Sequence, residues 1–479
     1  MAGVTGRDLT QGPITRTLLT FALPTLGSNI LQSLNGSINA IWVGRFLGEQ
    51  ALAATSNANL ILFLAISAVF GFGMAATILV GQSVGRGDVE TARRAMGTAI
   101  GGFGGMAVLV AAIGWWLTPQ IVAVMATPAE VSGLAEAYLR VIFLSLPGVF
   151  VLVLLMMGLR GVGDSLTPLW FMGLSVVLDS SLNPVFILGL GPAPRMGIAG
   201  SAVATLVANY AALIALVVTV YARDLPIRLR GAELAWLKPD RGLLRTISAK
   251  GLPMGLQMIV ISFAGIAMIG LVNRHGIVVT AGYGVALQLW TYVQMPAMAI
   301  GAAVSAMAAQ NIGAGRWDRV GRITRSGLIA NVAITGGSIA LLLVADRAAM
   351  ALFLGGASPA IPVARHIQMI GSWSFILFGA TMVMFATMRA NGTVIGPLIV
   401  LTVAVIPVRL GFALVMERHL GVDALWWSFP LGSIAALAGA TYLYQRGTWR
   451  KGGIPLPPEE GHEQAHADGD PAGRMNPTG

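Results

Sequence analysis

Residues 75–97 read AATILVGQSVGRGDVETARRAMG, and residues 308–323 read AAQNIGAGRWDRVGRI. Placing Gln82 over Gln310 brings Gly85 over Gly313, Gly87 over Gly315 and Arg94 over Arg322, a constant offset of 228. Two further pairs keep nearly the same offset. LRGVGDSLTPL from Leu159 meets MRANGTVIGPL from Met388, and FALPTLGSNIL from Phe21 meets KGLPMGLQMIV from Lys250, both 229 apart. Self-similarity at one long period decides the architecture before any local reading. The chain is a tandem duplication.

Composition says what is duplicated. Of 479 residues only 10% are charged and 56% are hydrophobic, with a mean hydropathy of +0.77, far from the quarter charged that is usual in soluble domains. Apolar runs long enough to cross a bilayer as helices fall at 17–43, 52–80, 95–117, 133–158, 168–190, 197–221, 250–273, 281–308, 326–345, 366–388, 394–416 and 423–445. The expectation is an all-α membrane protein of twelve transmembrane helices in two pseudo-symmetric six-helix lobes. Residues 1–221 form the first lobe, 222–249 a linker, 250–446 the second lobe and 447–479 a disordered tail. The first apolar run is too long for a signal-peptide core and is read as a retained span.

An even number of spans per repeat makes the halves parallel, related by an axis along the membrane normal. Of the 30 Lys and Arg residues, 22 fall in the two termini and the connections after even-numbered spans. Seven lie on the opposite side, and Arg409 lies inside span 11. The positive-inside rule then places both termini in the cytoplasm of a cell whose inner membrane holds the chain. The net charge of +10 is explained by this topology, and no basic stripe with interleaved aromatics suggests nucleic acid. With no cysteine, disulfide and thiol chemistry are excluded. The tail's two histidines read as part of a solvated segment, and membrane lipid is the expected surrounding of a monomer.

Ionisable groups in hydrocarbon cost roughly 2.5–3.5 kcal/mol on insertion scales, so each must be located. One acid sits deep: Asp179, in LWFMGLSVVLDSSLNPVFILGLG, about 16 Å from the outer end of span 5 at 1.5 Å per residue. Asn183 follows at i+4 on the same face, with Pro184 loosening the backbone ladder after it. Span 6 brings Thr205 to a similar depth and Asn209 one turn further in. Span 1 supplies Gln32, Asn35 and Asn39 on one helical stripe, with Asn35 level with Asp179, and Asn39 level with Asn183. Amides and hydroxyls in spans commonly serve as interhelical glue, the reading given to Asn29, Gln32, Asn57, Asn59 and Asn209 singly. An intramembrane acid faces a cavity or pathway by default. The second repeat does not copy the cluster: Asp179 falls on Val408 and Asn39 on Met268.

These residues resemble a family. DLTQGPITRTLLTFALP, INAIWVGRFLGEQALAA, GQSVGRGDVETARRA, LRGVGDSLTPL, LDSSLNPVFILGLG followed by GIAGSAVAT, then QNIGAGRWDRV and MRANGTVIGPL, in this order, look like a MATE (multidrug and toxic compound extrusion) transporter over about residues 8–446. The resemblance implies two lobes around a central cavity that export organic cations and drugs in exchange for H⁺ or Na⁺ by alternating access, a carrier and not an enzyme. It implies no cofactor beyond the coupling ion. The chain departs from the family where a motif acid is replaced by Asn39, and where the Asn-x-x-x-Asp of span 5 is reversed as Asp179 and Asn183. One carboxylate, with Asn39, Asn183, Thr205 and Asn35, is then left to take one proton or one Na⁺, whose preference for oxygen ligands these side chains meet.

By the same resemblance Pro24 is the bending point of span 1, against the plain reading of a tolerated membrane proline. Arg160 and Arg389, in paired loops, are read as fixing topology and capping helix ends. Gln32, Gln257, Met258, Gln288 and Trp290 are candidate walls of the drug cavity, methionines for adaptable packing and tryptophan for stacking on cations. Two rival functions are carried. A flippase for lipids or lipid-linked oligosaccharides would be expected to line its cavity with several cations, where only Arg409 is read as deep. A channel or scaffold would lack coupled exchange, against which the duplicated half with one deep acid argues.

Overall fold

The computed structural model describes residues 8–124, 129–191, 193–355, 358–451 and 453, and the side chains of these except 53, 56–64, 68, 129, 130 and 352. The side chains of Asn57 and Asn59 and the tail from residue 454 lie outside the described residues. Among those described, the chain is helical and has no strand. The first half comprises α1 (Ile14–Arg86), α2 (Val89–Trp116), α3 (Thr118–Val124), α4 (Ala129–Val162), α5 (Leu166–Leu188) and α6 (Ile198–Ala222). The second comprises α7 (Arg241–Val272), α8 (Ile277–Gly313), α9 (Trp317–Val344), α10 (Asp346–Leu354), α11 (Ala360–Gly371), α12 (Ser374–Ala390), α13 (Ile395–Val403), α14 (Gly411–Leu420) and α15 (Asp423–Arg446).

These helices make twelve spans in two lobes. α1 holds the first two, broken only at Gly48, whose φ of 82° and ψ of −175° lie in a region nearly confined to glycine. One residue thus reverses the chain where the apolar pattern suggests a gap from 44 to 51. α11 and α12 form one span bent by 45°. The eleventh span joins α13 and α14 through a π-helical stretch, Ala404–Leu410, around Pro407. A proline there has no N–H to give the ladder, and wider π turns accommodate such a defect. Among the described residues nine helices are long and apolar enough to cross a membrane, ten with the bent pair. The first span falls below that standard because Asn29, Gln32, Asn35 and Asn39 occupy it, the polar stripe that gives it its use.

The segment between the halves is shorter than the 222–249 read from charge, because α7 starts at Arg241. Asp240 is its N-cap, accepting a bond from Leu243 N at 2.9 Å, and pairs with Arg94 at 2.9 Å. The backbone N–H of Leu243 and the Arg94 guanidinium hold the Asp240 carboxyl below its ordinary range. A depressed folded pKa means a contribution present above the unfolded value of about 3.9 and lost as pH falls through the folded one. Asp240→Ala is expected to cost about 1 kcal/mol at neutral pH, read as faster amide exchange over the first turn of α7. Asp240→Asn, which still caps, should lose less. The chain also stays folded past the expected limit at 446. Trp449 is buried, its carbonyl accepts from Asn391 Nδ2 at 2.6 Å, and its indole donates to Tyr444 O at 2.9 Å. Anchoring of that aromatic side chain, invisible to a composition-based reading, moves the boundary.

The duplicated motifs meet each other. Gln82 Nε2 donates to Ala390 O at 2.6 Å and Gln310 Nε2 to Gly161 O at 2.9 Å, each glutamine of one repeat capping a backbone carbonyl of the other. Gly85 packs on the Gln310 carbonyl and Gly313 on the Gln82 carbonyl so closely that a Cβ at either would collide with the opposing backbone. The leader adds Leu9 N to Gln310 Oε1 at 3.0 Å and Arg316 to Thr10 O at 2.9 Å. These interlobe bonds cluster at the end of the bundle that carries both termini. That end is closed.

Candidate functional site

The polar residues that the first repeat holds alone converge between α1, α4, α5 and α6. Asp179 and Asn183 are 2% and 1% exposed. The Asp179 carboxylate accepts from Thr205 Oγ1 at 3.0 Å and from Asn183 Nδ2 at 3.1 Å. Asn183 Nδ2 also donates to Asp179 O at 3.0 Å, the i+4 return that a short amide makes within a helix. The Asn35 amide faces the same carboxylate from α1. No Lys or Arg pairs with the acid among the described contacts, so its only partners are neutral donors.

Asn39 accepts from Ser201 Oγ at 2.7 Å and meets the Tyr138 hydroxyl. Ser201 is one turn outward of Thr205 as Asn183 is of Asp179, so Asn39 keeps the expected depth but bonds α6 and α4 and does not bond the carboxylate. Tyr138 and Ser201 were missed by the sequence reading. Ser201 could have been found, since it precedes Thr205 by one turn on the same face; Tyr138, near the outer end of its span between Glu136 and Arg140, gives no such signal. Gln32, Asn35, Asn39, Tyr138, Thr205 and Thr55 line a cavity of about 270 Å³.

The donor set can be tested against a cation. Asn35 Oδ1 and Asn183 Oδ1 are buried without a partner, although orphaned acceptors are rare and costly. Turning each amide by half a turn exchanges its N–H for its oxygen and would present one carboxylate, one hydroxyl and two amide oxygens together. That all-oxygen set suits a hard ion, and a single negative charge matches a monovalent one. Among the described residues no group of three His, Cys, Asp or Glu could hold a metal.

The second lobe fills the equivalent region with hydrocarbon. Met268, Tyr283, Trp290, Phe375, Trp426 and Phe429 share one buried core, and the Arg409 guanidinium lies 3.5 Å from the Phe429 ring centroid. This corrects the candidate cavity wall. Trp290 is 1% exposed and donates to Gln368 Oε1 at 2.8 Å, so it packs the core and cannot stack on a drug. Gln257 is buried and accepts from Arg389 Nη1 at 3.3 Å. Met258 is half-buried on α7, and Gln288 donates to Tyr292 Oη at 3.2 Å; neither lines the two cavities described. Pro24 sits within α1, whose backbone stays helical through it, with Ser28 Oγ bonded to its carbonyl at 3.0 Å.

Arg160 and Arg389 stand in the last turns of α4 and α12, the helix-end position read for them, but inside helices and not in loops; Arg389 is buried and Arg160 half-buried. Arg160 lines a second cavity, of about 70 Å³, between α1, α4 and α8.

The family model MatE matches residues 24–185 and again 253–415, one match per repeat. The chain is 36% identical over 438 residues to a probable multidrug resistance protein, YoeA, of Bacillus subtilis (strain 168), covering 91% of this chain and 94% of that one. It is 22% identical over 439 residues to the multidrug export protein MepA of Staphylococcus aureus (strain MRSA252), with coverages of 91% and 94%. A solved structure described as the outward-facing conformation of a multidrug resistance MATE family transporter superposes with a TM-score of 0.85 at 20% identity, covering 94% of this chain and all of that one. At that identity the likeness is one of fold.

Proposed function

Because this chain belongs to the MATE family of multidrug efflux transporters, we propose that it is a secondary antiporter exchanging organic cations and drugs for a monovalent cation held at Asp179. The observation that carries the reading is the buried carboxylate bound only by neutral donors, beside two orphaned amide oxygens, of which that of Asn35 belongs to a cavity-lining residue. Those oxygens favour Na⁺ over H⁺. A proton on Asp179 supplies one donor and satisfies one acceptor at most, whereas a metal ion is met by both.

The bias of Lys and Arg toward the terminus-bearing end puts that end in the cytoplasm. The closed face is then the inner one, and the cavity beside Asp179 belongs to an outward-facing state. Closing around a substrate requires the first span to move relative to α5 and α6, and Pro24 is where it lacks a ladder bond. Asn35 and Asn39 travel with that span, so ion occupancy at Asp179 is coupled to its position. The flippase alternative meets an obstacle in the second lobe. Arg389 is bound by Gln257 and Arg409 is stacked on Phe429, which leaves the half-buried Arg160 as the one of these three on a described cavity wall.

Ethidium efflux from proteoliposomes under an imposed Na⁺ gradient, and separately under an H⁺ gradient, tests the proposal. Export driven by Na⁺ at constant pH is the expected result. Export driven by H⁺ alone would transfer the site to a proton, and no export under either gradient would overturn the antiporter.

A further inference from the structure

The two repeats carry the same arginine, each with a buried Nε that finds no acceptor, and only one copy has a side-chain partner. Arg389 donates from Nη1 to Gln257 Oε1 at 3.3 Å, and Gln257 in turn reaches Val394 O at 3.5 Å. At an offset of 229 the first-lobe mate of Arg389 is Arg160 and that of Gln257 is Ser28. Ser28 is too short to do the same work, and its hydroxyl is spent on Pro24 O at 3.0 Å. Arg160 therefore has no side-chain partner among the described residues, and its Nε is buried without an acceptor. The nearest acid in sequence is turned away: the Asp164 carboxylate accepts from Leu166 N, Thr167 N and Thr167 Oγ1.

The copy without a partner is the one that faces a cavity. With Arg160 the walls include Thr25, Asn29, Thr77 and Met157 of the first lobe and Ser305 of the second. The hydroxyls of Thr25 and Thr77 already donate to backbone carbonyls at 3.1 Å and 2.9 Å. Arg160 thus brings the positive charge and the free donors. Some 70 Å³ is room for a few waters, at roughly 10–15 Å³ each. A small oxyanion fits; a whole drug does not. A half-buried guanidinium with no partner offers the fork that a carboxylate fills with two parallel bonds.

We propose that Arg160 receives the carboxylate arm of zwitterionic substrates, so that the cavity between the lobes recognises an organic cation at one place and an acid group at another. The assignment rests on the exporter reading above for its biological meaning but not for its test. A rhodamine dye with a free carboxylate and its methyl ester share one cationic ring system and differ only in the acid. Their binding to the purified full-length protein is followed by fluorescence anisotropy with no ion gradient.

Arg160→Gln should weaken binding of the free-acid dye about tenfold or more, the usual worth of a charge-assisted bond, and leave the ester within about twofold. Arg160→Lys, which keeps the charge but not the fork, should fall between. Retained ester binding shows that the variants fold. Equal losses for both dyes, or none for either, would overturn the proposal. So would equal affinity of the native protein for the two dyes with chloride the one anion whose binding depends on Arg160, which would give the pocket to an inorganic ion. Failure of gradient-driven transport would sink the antiporter and leave this binding result intact.

Discussion

Asp179→Asn is expected to reduce gradient-driven efflux to the leak rate, a loss of at least about a hundredfold, while the protein still folds and inserts. The reasoning separates shape from charge. Asparagine is nearly isosteric, and its Oδ1 can still accept from Thr205 and Asn183, the bonds Asp179 accepts at 3.0 Å and 3.1 Å. It cannot carry the negative charge. In a low-dielectric interior an ion without a countercharge is costly by several kcal/mol, so a neutral site holds neither Na⁺ nor a titratable proton. Substrate binding should survive, because the amide and hydroxyl walls remain. Parallel measurement of ethidium binding and of efflux from proteoliposomes gives the split: binding kept and coupling lost. Native-like efflux from the variant would show that Asp179 is structural and that the ion sits elsewhere.

The second large effect concerns the closed end. Gly85→Val, and equally Gly313→Val, is expected to abolish transport by preventing closure. A side chain at either position meets the carbonyl of Gln310 or Gln82, which belongs to helix backbone and cannot step aside. The obstructed lobes would stay parted on the terminus-bearing side. The chain has no cysteine, so one can be placed at Ser83, which is fully buried, without background. It should be inert to a membrane-impermeant maleimide in the otherwise native chain and reactive when Gly85→Val is added. Gln82→Ala with Gln310→Ala removes three cross-lobe bonds but adds no bulk, at about 1 kcal/mol net for each plus the two unmet carbonyls and the unmet Leu9 N–H. Transport should slow without stopping. An unreactive Ser83→Cys in the Gly85→Val protein would show that the ends close by another route.

Much of this was legible in the residues. The duplication followed from a fixed offset, the spans from apolar length, and the cluster of Asp179, Asn183, Thr205 and Asn35 from depth counted along three helices. Each inference needs only one-dimensional spacing and a helix of known rise. What spacing cannot supply is which neighbour a face meets. Asn39 sits where the pattern put it on span 1 yet bonds Ser201, because helix rotation and crossing decide the partner. Trp290 was read as cavity wall since aromatics near span ends serve several purposes, and packing against Phe375 and Phe429 determines that it is core. Arg160 and Arg389 are indistinguishable by sequence position; the difference in their fates lies in Ser28 and Gln257, each 132 residues away in the chain.

The latch formed by Gln82 and Gln310 reads main-chain oxygens and not side chains. It asks only that the opposite loop keep its course, and places no demand on the identity of the residue whose carbonyl is held. After a gene doubles, such a joint lets the copies drift apart in chemistry without losing the ability to shut. One lobe holds an aromatic core around Trp290 and the other a polar interior around Asp179. Division of labour between twins is thereby inherited from the way they clasp.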